Sequence, residues 1–230
     1  MGNDDADALK HKVALACNIL AKEGLTDFLG HVSCKTVDDD SILVSPTSKN
    51  LANVRDEDIL RISLKGKLSE SNGKPPSELP IHTSIYKSRP DVGAVIHAHP
   101  KFATLFSITG ERVVPVCHLG APFIDGVPLF EEYGLVDNVI SADKLARNLG
   151  NKRAILLKNH GAVVVGRTIE EACILTIWLE KNCELLFMSK VTGRINAIPL
   201  ENSSRSLVAH YLNRTVGTAW DHYASKIVGD

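Results

Sequence analysis

Residues 92–100 read Val92-Gly-Ala-Val-Ile-His-Ala-His-Pro100, and the rest of the chain takes its meaning from them. The apolar, β-branched run from Val92 to His99 predicts a strand. Side chains alternate faces along a strand, so His97 and His99 project from one face, close together. Two adjacent imidazoles are costly to protonate together, and a neutral pair is a natural chelate for a borderline divalent metal. An H-x-H pair is weak evidence alone, so other ligand-type residues must converge on it.

Two further segments supply them. In Leu156-Leu-Lys-Asn-His160-Gly161, a His ends an apolar strand beside a Gly that permits a sharp turn. Such a His is held rigidly at a sheet edge, and a third imidazole from another strand end is what an open three-His site requires. In Pro75-Pro-Ser-Glu78-Leu-Pro-Ile-His82, Glu78 falls at the start of a helix, where the dipole favours a carboxylate. Alone it is a helix-start residue; opposite a metal it becomes a fourth ligand or an acid/base group. His82 lies one turn further on, and either orients Glu78 or faces solvent.

The elements around these segments alternate. Leu9, Val13, Ala16 and Leu20 recur at helical spacing, and Gly24 closes that helix. Val32–Thr36 and Ile42–Val44 flank the turn Asp38-Asp39-Asp40 as a hairpin, and Ile59–Leu64 predicts another strand ending at Lys65-Gly66. Ser77 can cap a helix to about Ser88. Pro100–Ile108 predicts a short helix and Val113–Val116 a strand. Ser141 can cap a helix that stops at Gly150. Strands at Ala154–Leu157 and Ala162–Val165 precede a long helix that Thr168 can cap, running to about Lys190. Two helices follow, around Leu207 and Trp220. The loops at Ser45–Asn53 and Ser69–Ser77 separate no segments of different composition, so one domain over 1–230 is expected, with a C-terminal helical extension from about 200. Hairpin strands dominate the first half, which predicts an α/β fold with a mixed or mainly antiparallel sheet covered by helices.

Composition sets limits. The 230 residues are 44% hydrophobic and 23% charged, with 26 basic against 27 acidic side chains and a formal net charge of −1. That balance offers nothing to nucleic acid or an anionic membrane, and the apolar content excludes disorder as a description of the whole. Residues 1–9 carry neither a basic n-region nor an apolar h-region, and no run reaches a membrane span. The five Cys include no C-x-x-C pair and read as reduced, packed thiols, so a cytoplasmic protein is expected. Nine His remain to be explained.

Glu78, H-A-H at 97–99 and N-H-G at 159–161 together resemble the class II aldolase/adducin family. The connecting text agrees. Ile85-Tyr-Lys-Ser-Arg-Pro-Asp-Val-Gly-Ala-Val-Ile-His-Ala-His is similar to the family's Y-x-x-R-P-D-V-x-A-V-V-H-x-H core. Phe28-Leu-Gly-His-Val-Ser33 resembles its G-N-[VI]-S loop, and Ser45-Pro-Thr-Ser48 its T-P-[TS]-G loop. The resemblance runs from about Asp7 to Lys190. It implies a three-layer α/β/α fold on a largely antiparallel sheet. It implies a divalent metal, most often zinc and in some branches manganese or iron, bound by His97, His99 and His160. Glu78 would ligate the metal or shuttle protons. It also implies a homotetramer with sites between neighbours, completed by a C-terminal Tyr, either Tyr211 or Tyr223.

Departures from the pattern bear on the substrate. Sugar-phosphate aldolases and epimerases of the family use Asn in the first loop, Gly in the second and paired Ser before the Glu. Here those positions hold His31, Ser48 and Pro76, while Gly30, Thr47 and Ser77 remain as substrate-binding candidates. A phosphate cradle depends on exposed backbone N–H groups, and Pro has none. The G-H-V-S loop instead resembles a branch that includes decarboxylases acting on carboxylated substrates, in which His31 would contact a carboxylate or act as an acid/base.

The chemistry implied is stabilisation of charge beside a carbonyl. Breaking a carbon–carbon bond there leaves an enediolate whose charge a metal offsets. Loss of an aldehyde is aldol cleavage; loss of carbon dioxide is decarboxylation. The expectation is a metal-dependent carbon–carbon lyase acting on a non-phosphorylated, carboxylate-bearing small molecule. Its rivals are a sugar-phosphate aldolase or 4-epimerase, a non-haem iron oxygenase, and a non-catalytic adducin-like interaction module. Asn182 and Glu184 read as solvated or interface residues, His118 as a surface His, Lys49 and Arg55 as surface ion pairs, and Trp178 and Trp220 as core or subunit-contact residues.

Overall fold

The computed structural model describes residues 2–26, 29–36, 40–70, 73–199 and 201–228. Phe28 and the turn residues Asp38 and Asp39 lie outside them. Among these residues eight strands form one sheet: β1 (His31–Lys35), β2 (Ser41–Val44), β3 (Leu60–Ser63), β4 (Leu68–Glu70), β5 (Ala94–Ala98), β6 (Leu129–Phe130), β7 (Ala154–Leu157) and β8 (Gly161–Gly166). Their spatial order is β4-β3-β2-β1-β5-β8-β7-β6. Neighbours run antiparallel except β6 beside β7. The largely antiparallel sheet expected from the sequence is therefore what forms.

Helices cover both faces. On one side α2 (Leu79–Ser88) packs with α4 (Val139–Leu149); on the other α1 (Gly2–Lys22), α3 (Lys101–Thr109), α5 (Ile169–Thr192) and α7 (Val216–Val228) gather, with α6 (Asn202–His210) preceding α7. Strand alternation explains why one sheet serves two cores. Val32, Cys34, Ala94, Ile96 and Ala98 face the α1/α5 side. Ile42, Val44, Val95 and Val163 face α2 and α4. Trp178 is buried in the α5 core, and no described helix is long and apolar enough to cross a membrane.

Several boundaries move for local reasons. Helix α1 starts at Gly2, seven residues before its first apolar repeat, and Gly24 ends it at φ 71°. Thr168 caps α5 as expected, its side chain accepting from the Glu171 N–H. Ser77 does not cap α2: Glu78 holds that position, and its carboxylate makes no capping bond. Nor does Ser141 cap α4; Asn138 does, accepting from the Ser141 N–H at 3.0 Å. The strand expected at Val113–Val116 is reduced to one bridge, Val113 to Val127. Pro115 removes a donor from it, and the buried Asn182 side chain takes its place, accepting from Val116 N–H and donating to the Val114 carbonyl at 3.0 Å each. Asn182 is thus a structural core residue and not a solvated one. Strands β4 and β6, three and two residues long, are too short to leave a periodic signal.

Two devices fix where the site-bearing strand ends. Pro100 starts α3 without a side-chain cap, and the Glu180 carboxylate on α5 takes the orphan N–H groups of Phe102 and Ala103 at 2.8–3.0 Å. Gly161 opens β8 where a Cβ would lie 2.5 Å from the Ala98 carbonyl oxygen and 2.8 Å from His99 Cδ2. Gly161→Ala should therefore force β8 away from β5, lowering stability by about 1–3 kcal/mol. Thermal unfolding checks this, at about 2–4 °C per kcal/mol for a chain of this size.

Candidate metal centre

Three strands and one helix deliver the site. His31 on β1 lies directly opposite His97 on β5, and His97 lies opposite Val163 on β8. His99 sits just past β5, its N–H held by the Leu25 carbonyl. His160 closes the β7–β8 hairpin, where Leu157 pairs with Gly161 and Asn159 takes φ 56°. Asn is among the few residues that tolerate that left-handed conformation. The register that aligns Ala98 with Ala162 brings this turn beside His99. The rings of His97, His99 and His160 stand 4.8–5.1 Å apart.

The nitrogens converge as well. His97 Nε2 lies 3.1 Å from His99 Nε2. His97 Nδ1 donates to the Ala162 carbonyl at 3.1 Å, which fixes the proton there and leaves the Nε2 lone pair facing the cluster. Glu78 reaches in from the first turn of α2. Its Oε2 is 3.4 Å from His97 Nε2 and 3.8 Å from Nε2 of both His31 and His160. Its Oε1 accepts the Val136 N–H at 2.9 Å, so a loop before α4 pins the carboxylate. Among the described residues two groups result, His97/His99/His160 and His31/Glu78/His97, each with ligand atoms within 4.8 Å of one another.

Sequence periodicity explains how α2 meets the sheet. Glu78, His82 and Tyr86 recur every four residues along α2, and His31 and Ser33 every two along β1. Four helical residues rise about 6.0 Å and two strand residues about 6.6 Å, so the stripes match. His82 is fully buried. It does not face solvent: its Nε2 meets His31 Nδ1 at 2.6 Å and its Nδ1 meets Ser33 Oγ at 2.6 Å. Ser33 Oγ continues to Tyr86 Oη at 2.8 Å.

A cleft of about 140 Å³ opens onto the cluster, lined by Gly30, His31, Thr47, Ser77, Glu78, His97, His99 and His160 among others. Of the sequence-nominated residues, Ser48 is exposed and outside this lining. Lys49 lines it while paired with Asp58 at 3.1 Å, whereas Arg55 pairs with Glu57 on the surface. Leu29, Pro46, Pro76 and Leu135 form apolar walls that residue type alone did not announce. Glu184 and His118 are exposed, as expected. Tyr211 packs on Trp178 and His118, and the buried Tyr223 holds Lys226 over its ring at 4.6 Å; neither reaches this cleft within one chain.

Burial governs the charges. It pushes His97 well below the ordinary imidazole range, and the neighbouring His31, His99 and His160 push it further. His82 is held down by burial and then by His31. Burial would raise Glu78, but His31, the Val136 N–H and the nearby His160 outweigh it and leave a carboxylate. A neutral His97 beside an ionised carboxylate, with further imidazoles within reach, forms a donor set that suits a borderline divalent cation.

The model for the class II aldolase and adducin N-terminal domain matches residues 11–187. The 3,4-dihydroxyphthalate decarboxylase of Arthrobacter keyseri is 29% identical over 95% of this chain and 93% of its own. The L-fuculose phosphate aldolase of Methanococcus vannielii is 33% identical over 68% of this chain and 82% of its own. Among solved structures, L-fuculose 1-phosphate aldolase from Glaciozyma antarctica superposes with a TM-score of 0.84 at 24% identity, covering 97% of this chain and 89% of that one.

The depressed imidazoles make stability depend on pH. In the unfolded chain His82 and His97 take up protons near pH 6.5, whereas the folded metal-free protein keeps them neutral. The unfolded state then binds more protons, so stability falls as pH drops below about 6.5, by up to about 1.4 kcal/mol per pH unit per group. Unfolding midpoints of chelator-treated protein between pH 7.5 and 5 should fall accordingly, and His82→Gln should flatten the slope.

Proposed function

The chain belongs to the class II aldolase and adducin family, and from that premise we propose that it is a divalent-metal-dependent carbon–carbon lyase acting on a non-phosphorylated, carboxylate-bearing small molecule. The observation that carries the reading is the meeting of His97, His99, His160 and Glu78 at one cleft. His97, His99 and His160 would hold the ion, with Glu78 as a fourth ligand until substrate displaces it, and with zinc first and manganese or iron as alternatives. When bound there, the cation supplies Lewis acidity that offsets negative charge developing beside a substrate carbonyl.

The chain's own groups do the rest. Glu78, ionised and pinned by Val136, accepts a proton from a substrate hydroxyl. In decarboxylation the electron pair of the breaking bond stays on the substrate carbon, carbon dioxide departs, and Glu78 returns the proton to that carbon. In aldol cleavage the departing piece is an aldehyde instead. His31 contacts the substrate carboxylate, while Gly30, Thr47 and Ser77 line its way in. The decarboxylase relative, aligned over nearly the whole chain, favours the first reaction. The aldolase relative and the retained Thr47 and Ser77 support the second. Pro76 at the cleft and Ser48 outside it weigh against a phosphate cradle. A full donor set argues against a non-catalytic module.

The same reading takes one 1–230 domain, extended by helices from about 200, as the subunit of a cytoplasmic homotetramer. Tyr211 or Tyr223 would reach a neighbour's cleft.

Chelation should abolish turnover and a divalent ion restore it, while His97→Ala should lose metal by elemental analysis. Full activity in metal-free protein would overturn the reading. Glu78→Gln should lower kcat by about 10²–10⁴. Aromatic and aliphatic hydroxy acids should be consumed in preference to sugar phosphates in a substrate panel.

A further inference from the structure

His31 faces the cleft from the opposite side to His160, and a buried line of polar groups stands behind it. His31 is 6% exposed, Ser33 and His82 0%, and Tyr86 3%. The contacts run His31 Nδ1 to His82 Nε2 at 2.6 Å, His82 Nδ1 to Ser33 Oγ at 2.6 Å, and Ser33 Oγ to Tyr86 Oη at 2.8 Å. The large majority of buried polar groups in folded proteins are hydrogen-bonded. Apart from His31, none of these residues belongs to either ligand-type group found among the described residues, so coordination does not account for the line.

Its proton positions follow from the donor inventory. Three gaps need three hydrogens. Among the described residues two groups meet the Tyr86 hydroxyl oxygen: Ser33 Oγ at 2.8 Å and the Val95 N–H, which can only donate. If the line ran outward from His31, Ser33 would donate to Tyr86 and the phenol proton would be buried without an acceptor. Running the other way satisfies every group. Tyr86 donates to Ser33, and Ser33 donates to His82 Nδ1. A neutral His82 then carries its proton on Nε2 and donates to His31 Nδ1. Burial and the neighbouring His31 keep His82 neutral, and burial keeps the Tyr86 proton in place. The remaining His31 proton sits on Nε2, the atom 3.8 Å from Glu78 Oε2 at the cleft.

We propose that His82, Ser33 and Tyr86 are positioning residues that lock His31 as an Nε2–H donor aimed into the cleft, where it receives a carboxylate of the substrate. The carboxylate partner rests on the lyase reading above; the lock does not. A fixed donor selects for an anion at that point of the cleft. It also explains why a His can replace the family's Asn in the G-N-[VI]-S loop: both present an N–H, but an imidazole does so only if its tautomer is held.

The lock is read directly in ¹⁵N-His-labelled, zinc-loaded protein. Long-range ¹H–¹⁵N correlations should show His31 and His82 both protonated on Nε2, and Tyr86→Phe should mix the His31 tautomers. A His31 protonated on Nδ1, or an unchanged pattern in Tyr86→Phe, overturns the proposal. Kinetics supply the second readout, with an aromatic hydroxy acid as probe. His82→Leu should lower kcat/KM about 10–100-fold at unchanged zinc content. His82→Gln, whose amide can still donate to His31 Nδ1, should recover most of that loss. Wild-type rates in His82→Leu, or equal losses in both variants, overturn it. If the wild-type protein turns over no carboxylated probe, the lyase reading falls and takes the carboxylate partner with it, while the tautomer pattern is decided separately by the spectra.

Discussion

The antiparallel register that sets His31 opposite His97 is the constraint on which the remaining structure rests. Strand side chains alternate, so a slip of one residue between β1 and β5 would turn one imidazole into the α1/α5 core. That register is held from both sides. Val32, Cys34, Ile96 and Ala98 are buried under α1 and α5, and Val95 under α2 and α4. Apolar packing, which has no directional chemistry, thereby fixes polar groups to within hydrogen-bond distance. The β5–β8 pairing repeats the device and brings the His160 turn alongside.

Once the imidazoles share one face, their electrostatics follow from crowding. Burial lowers the tendency of His97 and His82 to accept a proton, and the neighbouring rings add to it. Glu78 escapes the usual consequence of burial because the same rings and a backbone N–H stabilise its ionised form. Helix α2 is what makes this possible. Glu78 holds its N-cap position without a side-chain capping bond, leaving both oxygens free for Val136 and the histidines. A residue that would serve a helix end in an ordinary protein serves the site here.

The cleft brings residues of the family motif together with departures from it. Glu78, His97, His99 and His160 share its lining with His31 and Pro76, beside Thr47 and Ser77. In the proposed reading the first four act on charge beside a carbonyl and His31 meets the substrate's anion, given a defined hydrogen-bonding sense by the buried line behind it.

Much of this was legible in the residue order. H-A-H, N-H-G and Glu78 named the ligand-type groups, and hairpin spacing foretold a mainly antiparallel sheet. Local chemistry determined these, because periodicity and turn residues act over a few positions. Other features depend on contacts between segments far apart. The Asn182 side chain standing in for a strand beside Pro115, the Glu180 carboxylate capping α3, and the Val136 N–H holding Glu78 join residues 58 to 78 positions apart. The residue order left His82 either orienting Glu78 or facing solvent; it is buried, and its ring meets His31 and Ser33. Only packing α2 against β1 could place it behind His31, because a helix stripe and a strand stripe match in rise but carry no mark of each other until they meet.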